Sequence, residues 1–423
     1  MRVSLFFCTF ALDMLLNYIW IALILLAIIM GFVQFFAFGQ SDIFTEILNS
    51  TFASAKNGFE ISLGLTGVLA LWMGILNIGQ QGGVVNTLSR GVAPFFSRIF
   101  PDIPKRHPVY GTMFMNFAAN MLGLDNAATP VGLKAMSELQ ELNSDKSKAS
   151  NAMIMFVVLG VSGLTIIPTT IMAYRAQMGA ANPADVFLPL MIATYFSTLA
   201  GLLSVYFVQK IKIWDPVIIG TLVILTGIMI GMLFAAQHMP EQQLNTISAL
   251  AAAVILLGII CWFILQATIR KVNIYDAFID GAKGGFQTAI GIIPYLIAIL
   301  VAVGMFRASG AMELLEEAIA QLFVWLGFNP DMSGAVPTAL MKPLSGSGAR
   351  GMMLDAMRTH GADSLVGRLC CILQGTTDTT FYIIAVYFGS VGIKNPRHAV
   401  GCCLFCDLIG TIAAFIIAHI FFG

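Results

Sequence analysis

Apolar segments long enough to cross a lipid bilayer recur along the chain, and they limit what it can fold into. The first six cover the ranges 14–38, 59–83, 151–174, 186–209, 214–237 and 247–267. A helix needs roughly 20 apolar residues to cross the hydrocarbon core. Only 10% of the 423 residues are charged, whereas a soluble domain carries about 25%. The pattern predicts an all-α polytopic membrane protein with about nine transmembrane helices.

Two stretches interrupt this pattern with glycine, proline and polar residues, although they lie inside otherwise apolar sequence. The first covers residues 116–136 and the second covers residues 340–357. Discontinuous helices of this kind line the substrate path in many membrane transporters. We therefore predict that each stretch forms a re-entrant hairpin of broken helices, which enters the membrane and leaves it on the same side.

The second half of the chain repeats the first. Ala-Lys-Asn-Gly-Phe-Glu at 55–60 returns as Ala-Lys-Gly-Gly-Phe-Gln at 282–287, and the Asn-Pro pair at 182–183 returns at 395–396. Ordered matches at polar positions indicate a duplication. The units expected from it are a first Gate-type repeat over 14–211, a linking transmembrane helix over 212–245 and a second Gate-type repeat over 246–423.

Charge predicts that the two repeats have opposite orientations in the membrane. Basic side chains outnumber acidic ones in the amphipathic segment 84–108, whereas acidic ones prevail in its counterpart, 305–336. Lys and Arg accumulate on the cytoplasmic side of a membrane. A single linking helix between two units that each begin and end on one side would also invert the second unit. We therefore expect inverted repeats and a cytoplasmic N-terminus.

Asp378 is the leading candidate for a functional residue. It stands inside the apolar segment 366–389, where an ionisable side chain costs roughly 2.5–3.5 kcal/mol to insert. We expect it to bind a coupling ion, H⁺ or Na⁺; the alternative is a structural ion pair with Lys342 or Arg350. The full set of predicted binding residues is Asn116, Asn120, Asp125, Asn126, Thr129, Ser345, Ser347, Arg350, Gln374, Thr376, Thr377, Asp378 and Thr379.

The polar groups of the broken stretches have both functional and structural interpretations. The Ser-Gly-Ser-Gly run at 345–348 could offer backbone N–H groups to an anion at a helix N-terminus, or it could be a packing turn of small residues. The amides of the first stretch could bind a solute, or they could bond to the free backbone groups of the broken helix. Lys134 and Asp355, at matching repeat positions, could pair across the pseudo-twofold axis.

Other residues suggest chemistry that we do not expect. The seven cysteines lie in apolar runs and are expected to pack as small apolar side chains. Gly160-Val-Ser-Gly163 has the spelling of intramembrane serine proteases, but His419, at the end of the last segment, is not expected to reach Ser162 as a base. We therefore predict no enzymatic activity, metal site or cofactor. Residues 1–13 are interpreted as an extension of the first membrane segment, or as the result of an upstream start codon, with Met14 the more natural beginning.

Several longer motifs resemble those of a known bacterial family. They are Asn-Tyr-Ile-Trp at 17–20, Asn-Met-Leu-Gly-Leu-Asp-Asn-Ala-Ala-Thr-Pro at 120–130, Pro-Leu-Ser-Gly-Ser-Gly-Ala at 343–349 and Gln-Gly-Thr-Thr-Asp-Thr-Thr-Phe-Tyr at 374–382. On these residues the chain resembles the spore maturation proteins A and B, with the A-type motifs in its first half and the B-type motifs in its second. The resemblance covers nearly everything after Met14. It implies a Gate, or nucleoside recognition, domain in each half, related to concentrative nucleoside transporters and to the membrane part of the ferrous iron transporter B.

The function expected from these observations is transport. The two repeats would move a small polar or anionic solute, nucleoside-like in chemistry, by alternating access across the bacterial cytoplasmic membrane. The expected partners are the lipid bilayer, the solute and a second copy of the chain in a homo-oligomer. The alternatives are a non-transporting membrane scaffold or regulatory component, and a channel. The net charge is zero, so nucleic acid is not an expected partner.

Overall fold

The computed structural model describes residues 3–423 apart from 85, 88–94, 96, 105–106, 122–124, 211–214, 240 and 327–328. It describes side chains for these residues except 3–16, 125–127, 130, 241–242, 244–245, 248–249 and 326. Part of the amphipathic segment predicted at 84–108 therefore lies outside the described residues.

The first half of the chain is a series of helices that ends at residue 209. In chain order they are α1 Val3–Phe38, α2 Ile43–Gln81, α3 Val109–Met121, α4 Asp125–Leu142, α5 Asn151–Val161, α6 Thr169–Gln177 and α7 Phe187–Gln209. Helix α8, Pro216–His238, follows as the linking helix. Helix α1 begins at Val3, as expected if the first residues extend the first membrane segment.

The second half repeats this order. Its helices are α9 Glu241–Ile269, α10 Ile274–Ala308, α11 Ala311–Leu326, α12 Val336–Met341, α13 Gly346–His360, α14 Leu365–Thr376, α15 Thr380–Ser390 and α16 Ala399–Phe422. A 3₁₀ turn, Pro330–Ala335, precedes α12. Each half thus presents two long helices, a short helix pair for the broken stretch, a divided span and a long closing helix.

Eight helical segments in the described part of the chain are long and apolar enough to cross a membrane. The chain is therefore a multi-pass all-α membrane protein, and the predicted fold class is confirmed. The predicted number of about nine transmembrane helices also counted the segment 151–174. That segment is divided between α5 and α6 by the non-helical backbone of 162–168, and neither piece alone reaches a membrane-spanning length. The equivalent break in the second half covers only residues 377–379, and Leu365–Ser390 is therefore counted as one span.

Equivalent helices of the two repeats pack against each other in opposite directions. On α2 and α10, Gly58 lies against Ile297 whereas Gly74 lies against Phe278. On α7 and α16, Gly201 lies against Cys406 and Gly410 lies against Ser197. A twofold axis along the membrane normal would keep equivalent helices parallel, whereas an axis in the membrane plane makes them antiparallel. The packing therefore has the geometry of inverted repeats.

Glycines bring the backbones of α2 and α10 into direct contact. A Cβ atom at Gly281 would lie 2.4 Å from the Met73 carbonyl oxygen and 2.9 Å from the Gly74 Cα. Small residues allow such close approach in membrane helix pairs, where packing rather than water exclusion holds the helices together. The α2–α10 pair is therefore a rigid wall between the repeats.

We expect Gly281→Ala to destabilise the protein by roughly 1–3 kcal/mol, because the backbone atoms facing it can yield only if the helices separate. Gly291→Ala on the same helix is the matched control. Its Cβ would meet open space, so the gain in helix propensity remains. Thermal unfolding of the purified protein in detergent measures both variants, and equal transition midpoints would contradict the prediction.

The apolar core combines side chains from both halves. Phe156 of α5 stacks on Tyr387 of α15, with ring centroids 5.6 Å apart and planes 10° apart. Five of the free cysteines, Cys370, Cys371, Cys402, Cys403 and Cys406, are buried. Burial among apolar neighbours agrees with the expected packing role of these thiols.

Candidate functional site

The two divided spans meet at their breaks. In the first half, α5 ends at Val161 and α6 begins at Thr169; in the second half, α14 ends at Thr376 and α15 begins at Thr380. The backbone N–H of Asp378 donates to the Val161 carbonyl oxygen at 2.7 Å. This bond satisfies a backbone donor at the second break and a backbone acceptor at the first. Broken helices are tolerated in a membrane interior when their free backbone groups find such partners.

A glycine allows this close crossing. Gly163 has a φ of +56°, a left-handed conformation that costs little only for glycine. A Cβ there would lie 3.3 Å from the carbonyl carbon of Thr377. The meeting point of the two breaks therefore depends on Gly163 for both its backbone conformation and its lack of a side chain.

The first broken stretch is held by Asn116, whose side chain is fully buried. Its amide donates to the Ala128 carbonyl oxygen at 2.7 Å and to the Tyr387 hydroxyl at 3.3 Å. Asn120 in turn donates to the Asn116 Oδ1 at 3.5 Å. The structural interpretation of the amides holds for Asn116, because it closes the α3–α4 hairpin and ties it to the other repeat.

The second broken stretch begins α13 with a serine cap. The Ser345 hydroxyl accepts from the Gly348 backbone N–H at 3.0 Å and lies 3.2 Å from the Ser347 hydroxyl. Ser345 is therefore engaged in capping the helix. Gly346, next in the chain, lies at the surface of a cavity.

A cavity of about 520 Å³ lies where the breaks and the two hairpins converge. It is lined by Asn120, Thr129, Gly160, Gly163, Thr165, Ile167, Pro168, Thr169, Thr170, Ile171, Lys342, Gly346, Arg350, Gln374, Gly375, Thr377, Asp378, Thr379, Tyr382 and Ile383. Both repeats contribute residues to its lining. Its charged groups are two cations, Lys342 and Arg350, and one carboxylate, Asp378.

Most of the predicted binding residues meet at this cavity. Those that line it are Asn120, Thr129, Arg350, Gln374, Thr377, Asp378 and Thr379. Asn116, Ser345 and Ser347 instead make the hairpin contacts given above, and the Thr376 hydroxyl donates to the Ile372 carbonyl oxygen at 2.6 Å. The side chains of Asp125 and Asn126 lie outside the part of the chain that the structure describes.

The cavity charges are arranged so that Asp378 faces open space. Its side chain is exposed, and its Oδ1 accepts from the Thr379 backbone N–H at 2.7 Å. The Lys342 ammonium donates to the Gln374 carbonyl oxygen at 2.6 Å. The Arg350 guanidinium lies over the Tyr174 ring, 5.5 Å from its centroid. These contacts hold both cations at the cavity wall.

A second cavity of about 660 Å³ adjoins the first. The two share Thr169, Thr170 and Arg350 in their linings. The second runs between α2 and α10 toward the end of that pair that carries Gln80, Gln81 and Asp280. The two cavities together form a crevice from the breaks toward one end of the α2–α10 wall.

An ion cluster joins the repeats at the end of α6. Arg175, with no exposed side-chain surface, places its Nη2 at 2.8 Å from Asp185 Oδ1 and 2.9 Å from Asp363 Oδ1. Arg368 places its Nε at 2.8 Å from Asp185 Oδ2. Arg175 and Asp185 belong to the first repeat, whereas Asp363 and Arg368 belong to the second. This cluster therefore connects α6, which carries Arg175, to α14, which carries Arg368.

A polar contact joins the repeats at the opposite end of the divided spans. The backbone N–H groups of Lys394 and Asn395 donate to the Ser147 carbonyl oxygen at 2.9 and 3.1 Å. Arg397 donates to the Ala149 carbonyl oxygen at 3.1 Å. The breaks therefore lie between two inter-repeat contacts, one polar and one ionic.

The predicted pairing of Lys134 with Asp355 is wrong. The Lys134 ammonium lies 3.9 Å from Glu138, on its own helix, and Asp355 lies 2.8 Å from Arg307. Both charges find a partner within their own repeat, where a pair costs less chain ordering. The two repeats instead meet at the breaks, where the Asp378 backbone N–H donates to the Val161 carbonyl oxygen.

Two ionisable groups escaped the sequence reasoning. Neither Arg175 nor Asp407 is among the predicted binding residues, although Asp407 stands in the apolar run of α16. Only 4% of Asp407 is exposed, and the Thr380 hydroxyl donates to its Oδ2 at 2.5 Å. The rule that an ionisable residue inside an apolar span is a candidate for function would have found it.

Comparison with known proteins agrees with this architecture. The family model described as nucleoside recognition, or Gate, matches residues 62–181 and 289–394. Spore maturation protein B of Bacillus subtilis (strain 168) is 41% identical over 182 residues, which is 43% of this chain and 98% of that protein. Spore maturation protein A of the same organism is 36% identical over 189 residues, 45% of this chain and 93% of that protein. The matches are consistent with a fusion of two such proteins. No solved structure gives a significant match.

Proposed function

We propose, from the premise that this chain belongs to the nucleoside recognition (Gate) family, that it is a secondary transporter. The two inverted repeats would carry a small polar or anionic solute by alternating access across the bacterial cytoplasmic membrane. The observation that carries the proposal is the 520 Å³ cavity at the crossing of two broken spans, with both repeats in its wall. Transporters built from inverted repeats bind their solutes at such helix breaks.

The cavity charges favour an anionic solute. Two cations, Lys342 and Arg350, face one carboxylate, Asp378. Arg350 lines both cavities, so a solute would contact it in the second cavity and again at the breaks. Its guanidinium suits a carboxylate or phosphate. Thr129, Gln374 and Thr377 add neutral donors and acceptors for the polar remainder of the solute.

Asp378 remains our candidate for binding the coupling ion, H⁺ or Na⁺, from the cavity. It is the cavity's carboxylate, and it sits where the helix is unwound. Backbone carbonyls released by unwinding are the groups that coordinate such ions in transporters.

Uptake into liposomes tests the proposal. Purified protein is reconstituted and given radiolabelled uridine, uridine monophosphate, inorganic phosphate or glutamate, with and without Na⁺ and pH gradients. We expect uptake of at least one anionic or nucleoside-like probe above that of empty liposomes. Uptake of none of them under any gradient would favour the non-transporting scaffold, and rates that rise without saturation would favour a channel.

Topology gives a separate prediction. Under a cytoplasmic N-terminus and inverted repeats, Ser97→Cys should lie inside and Glu317→Cys outside, because basic residues surround the first and acidic residues the second. Both positions are exposed. A membrane-impermeant maleimide should label Glu317→Cys in intact cells and Ser97→Cys only after permeabilisation, with the parent chain as the background control. Labelling of both from the same side would contradict inversion.

A further inference from the structure

Asp407 is a second carboxylate at the helix break, and it lies behind the cavity wall. Its Oδ2 accepts from the Thr380 hydroxyl, and Thr380 is the first residue of α15. Its Oδ1 is buried and has no hydrogen-bond partner among the described residues. Because only 4% of Asp407 is exposed, solvent does not satisfy this oxygen. Such a buried polar atom needs a ligand or a proton.

The surroundings of Asp407 come from several elements. Lys342, after α12, and Asp378, at the break, are the charged groups that act on it. The Thr377 hydroxyl lies within reach from the break, and the thiols of Cys403 and Cys406 are neighbours on α16. A hard cation such as Mg²⁺ or Ca²⁺ needs several oxygen ligands, whereas two of the neighbours of Asp407 along α16 are thiols. One unpartnered carboxylate oxygen is instead suited to a single proton.

We propose that Asp407 binds a proton on Oδ1, taken from water in the cavity and returned to it, and that this step is coupled to the position of the break. The ionised carboxylate accepts from Thr380 at the N-terminus of α15, where the helix dipole also favours a negative charge. It therefore holds α15 against α16. The protonated form loses the charge and with it most of this attraction, so the break becomes free to rearrange.

The transport consequence rests on the proposed function, but the protonation does not. The Asp378 carboxylate is exposed to the cavity, whereas Asp407 is only 4% exposed and is not among the residues that line the cavity. A proton held at Asp407 is therefore occluded from the solute. This separation lets the cavity bind an anion while the protein carries a proton beside it.

Infrared difference spectroscopy of the purified full chain tests the protonation directly. We expect a carbonyl-stretch band from a buried protonated carboxyl group that titrates with pH, disappears in Asp407→Asn and persists in Asp378→Asn. The asparagine keeps the shape and an acceptor for Thr380. An unchanged band in Asp407→Asn overturns the proposal.

Thr380→Val provides a second test should Asp407→Asn not fold. Loss of the hydroxyl removes a hydrogen bond to the ionised form, so the titration midpoint of the band should move to higher pH by about one unit. A midpoint that stays in place or moves to lower pH overturns the proposal.

Transport separates the two proposals. If the wild type accumulates a probe such as uridine monophosphate under a pH gradient, Asp407→Asn should lose the accumulation but retain exchange of labelled for unlabelled probe. Accumulation that remains proton-driven in Asp407→Asn overturns the coupling while leaving the transporter in place. If the wild type transports nothing, the proposed function fails, and the infrared band still decides the protonation of Asp407.

Discussion

Replacing Arg175 with methionine is expected to destabilise the protein by roughly 3–5 kcal/mol, because removing one partner of a buried ion pair leaves the other charge in a low-dielectric site. Arg175 has no exposed side-chain surface, and it bonds to Asp185, Asp363 and the Ala362 carbonyl oxygen. Unfolding of the detergent-solubilised protein by guanidinium, followed by tryptophan fluorescence, measures the loss.

Arg358→Met is the matched control, because Arg358 is exposed and the same substitution there should change stability by less than about 0.5 kcal/mol. Adding Asp185→Asn to Arg175→Met should recover part of the loss, since it restores the charge balance of the cluster to one cation, Arg368, and one carboxylate, Asp363. Equal stability of Arg175→Met and Arg358→Met would show that the cluster does not join the repeats energetically.

Replacing Arg350 with glutamine is expected to weaken binding of an anionic solute at least about 30-fold, the equivalent of about 2 kcal/mol for truncating one partner of a desolvated charge pair. Arg350 lines both cavities, so a solute would contact it in each of them. The concentration dependence of uptake into liposomes, measured with the probe that the wild type takes up, gives the change.

Arg358→Gln is the control for this prediction, because Arg358 lies on the same helix, α13, and is exposed. It should leave uptake within about twofold of the wild type. A neutral probe such as uridine should lose less affinity than uridine monophosphate in Arg350→Gln, since only the anion gives up a charge pair. An equal loss for both would assign Arg350 to the structure of the wall rather than to charge recognition.

Sequence reasoning identified the polar segments of the site well, and it was weaker on the role of each residue. Asp378, Thr377 and Gln374 were selected because polar groups inside an apolar span stand out, and they line the cavity. Asn116 was selected on the same ground, yet it bonds to the Ala128 carbonyl oxygen and Tyr387. A local pattern shows that a side chain is polar in an apolar segment but does not show whether a solute or the backbone satisfies it.

The same limit explains the charges that were misassigned or missed. Lys134 and Asp355 occupy matching repeat positions, but each pairs with a neighbour in its own repeat. Arg175 follows the apolar segment 151–174, and Ala362 and Asp363 approach it from the other repeat in its buried position. Whether a charge at the end of a span is solvated or enclosed depends on what packs over it.

Membrane class, repeats and broken helices were all readable in the chain, because the length of apolar runs, the order of repeated motifs and the positions of glycine and proline are local properties. The meeting of the two breaks was not. Asp378 and Val161 are far apart in the chain, and their hydrogen bond exists only because antiparallel packing of equivalent helices brings the unwound segments together. The cavity, the position of Asp378 on its wall and the enclosure of Asp407 behind it all follow from that contact, so only the tertiary structure could place them.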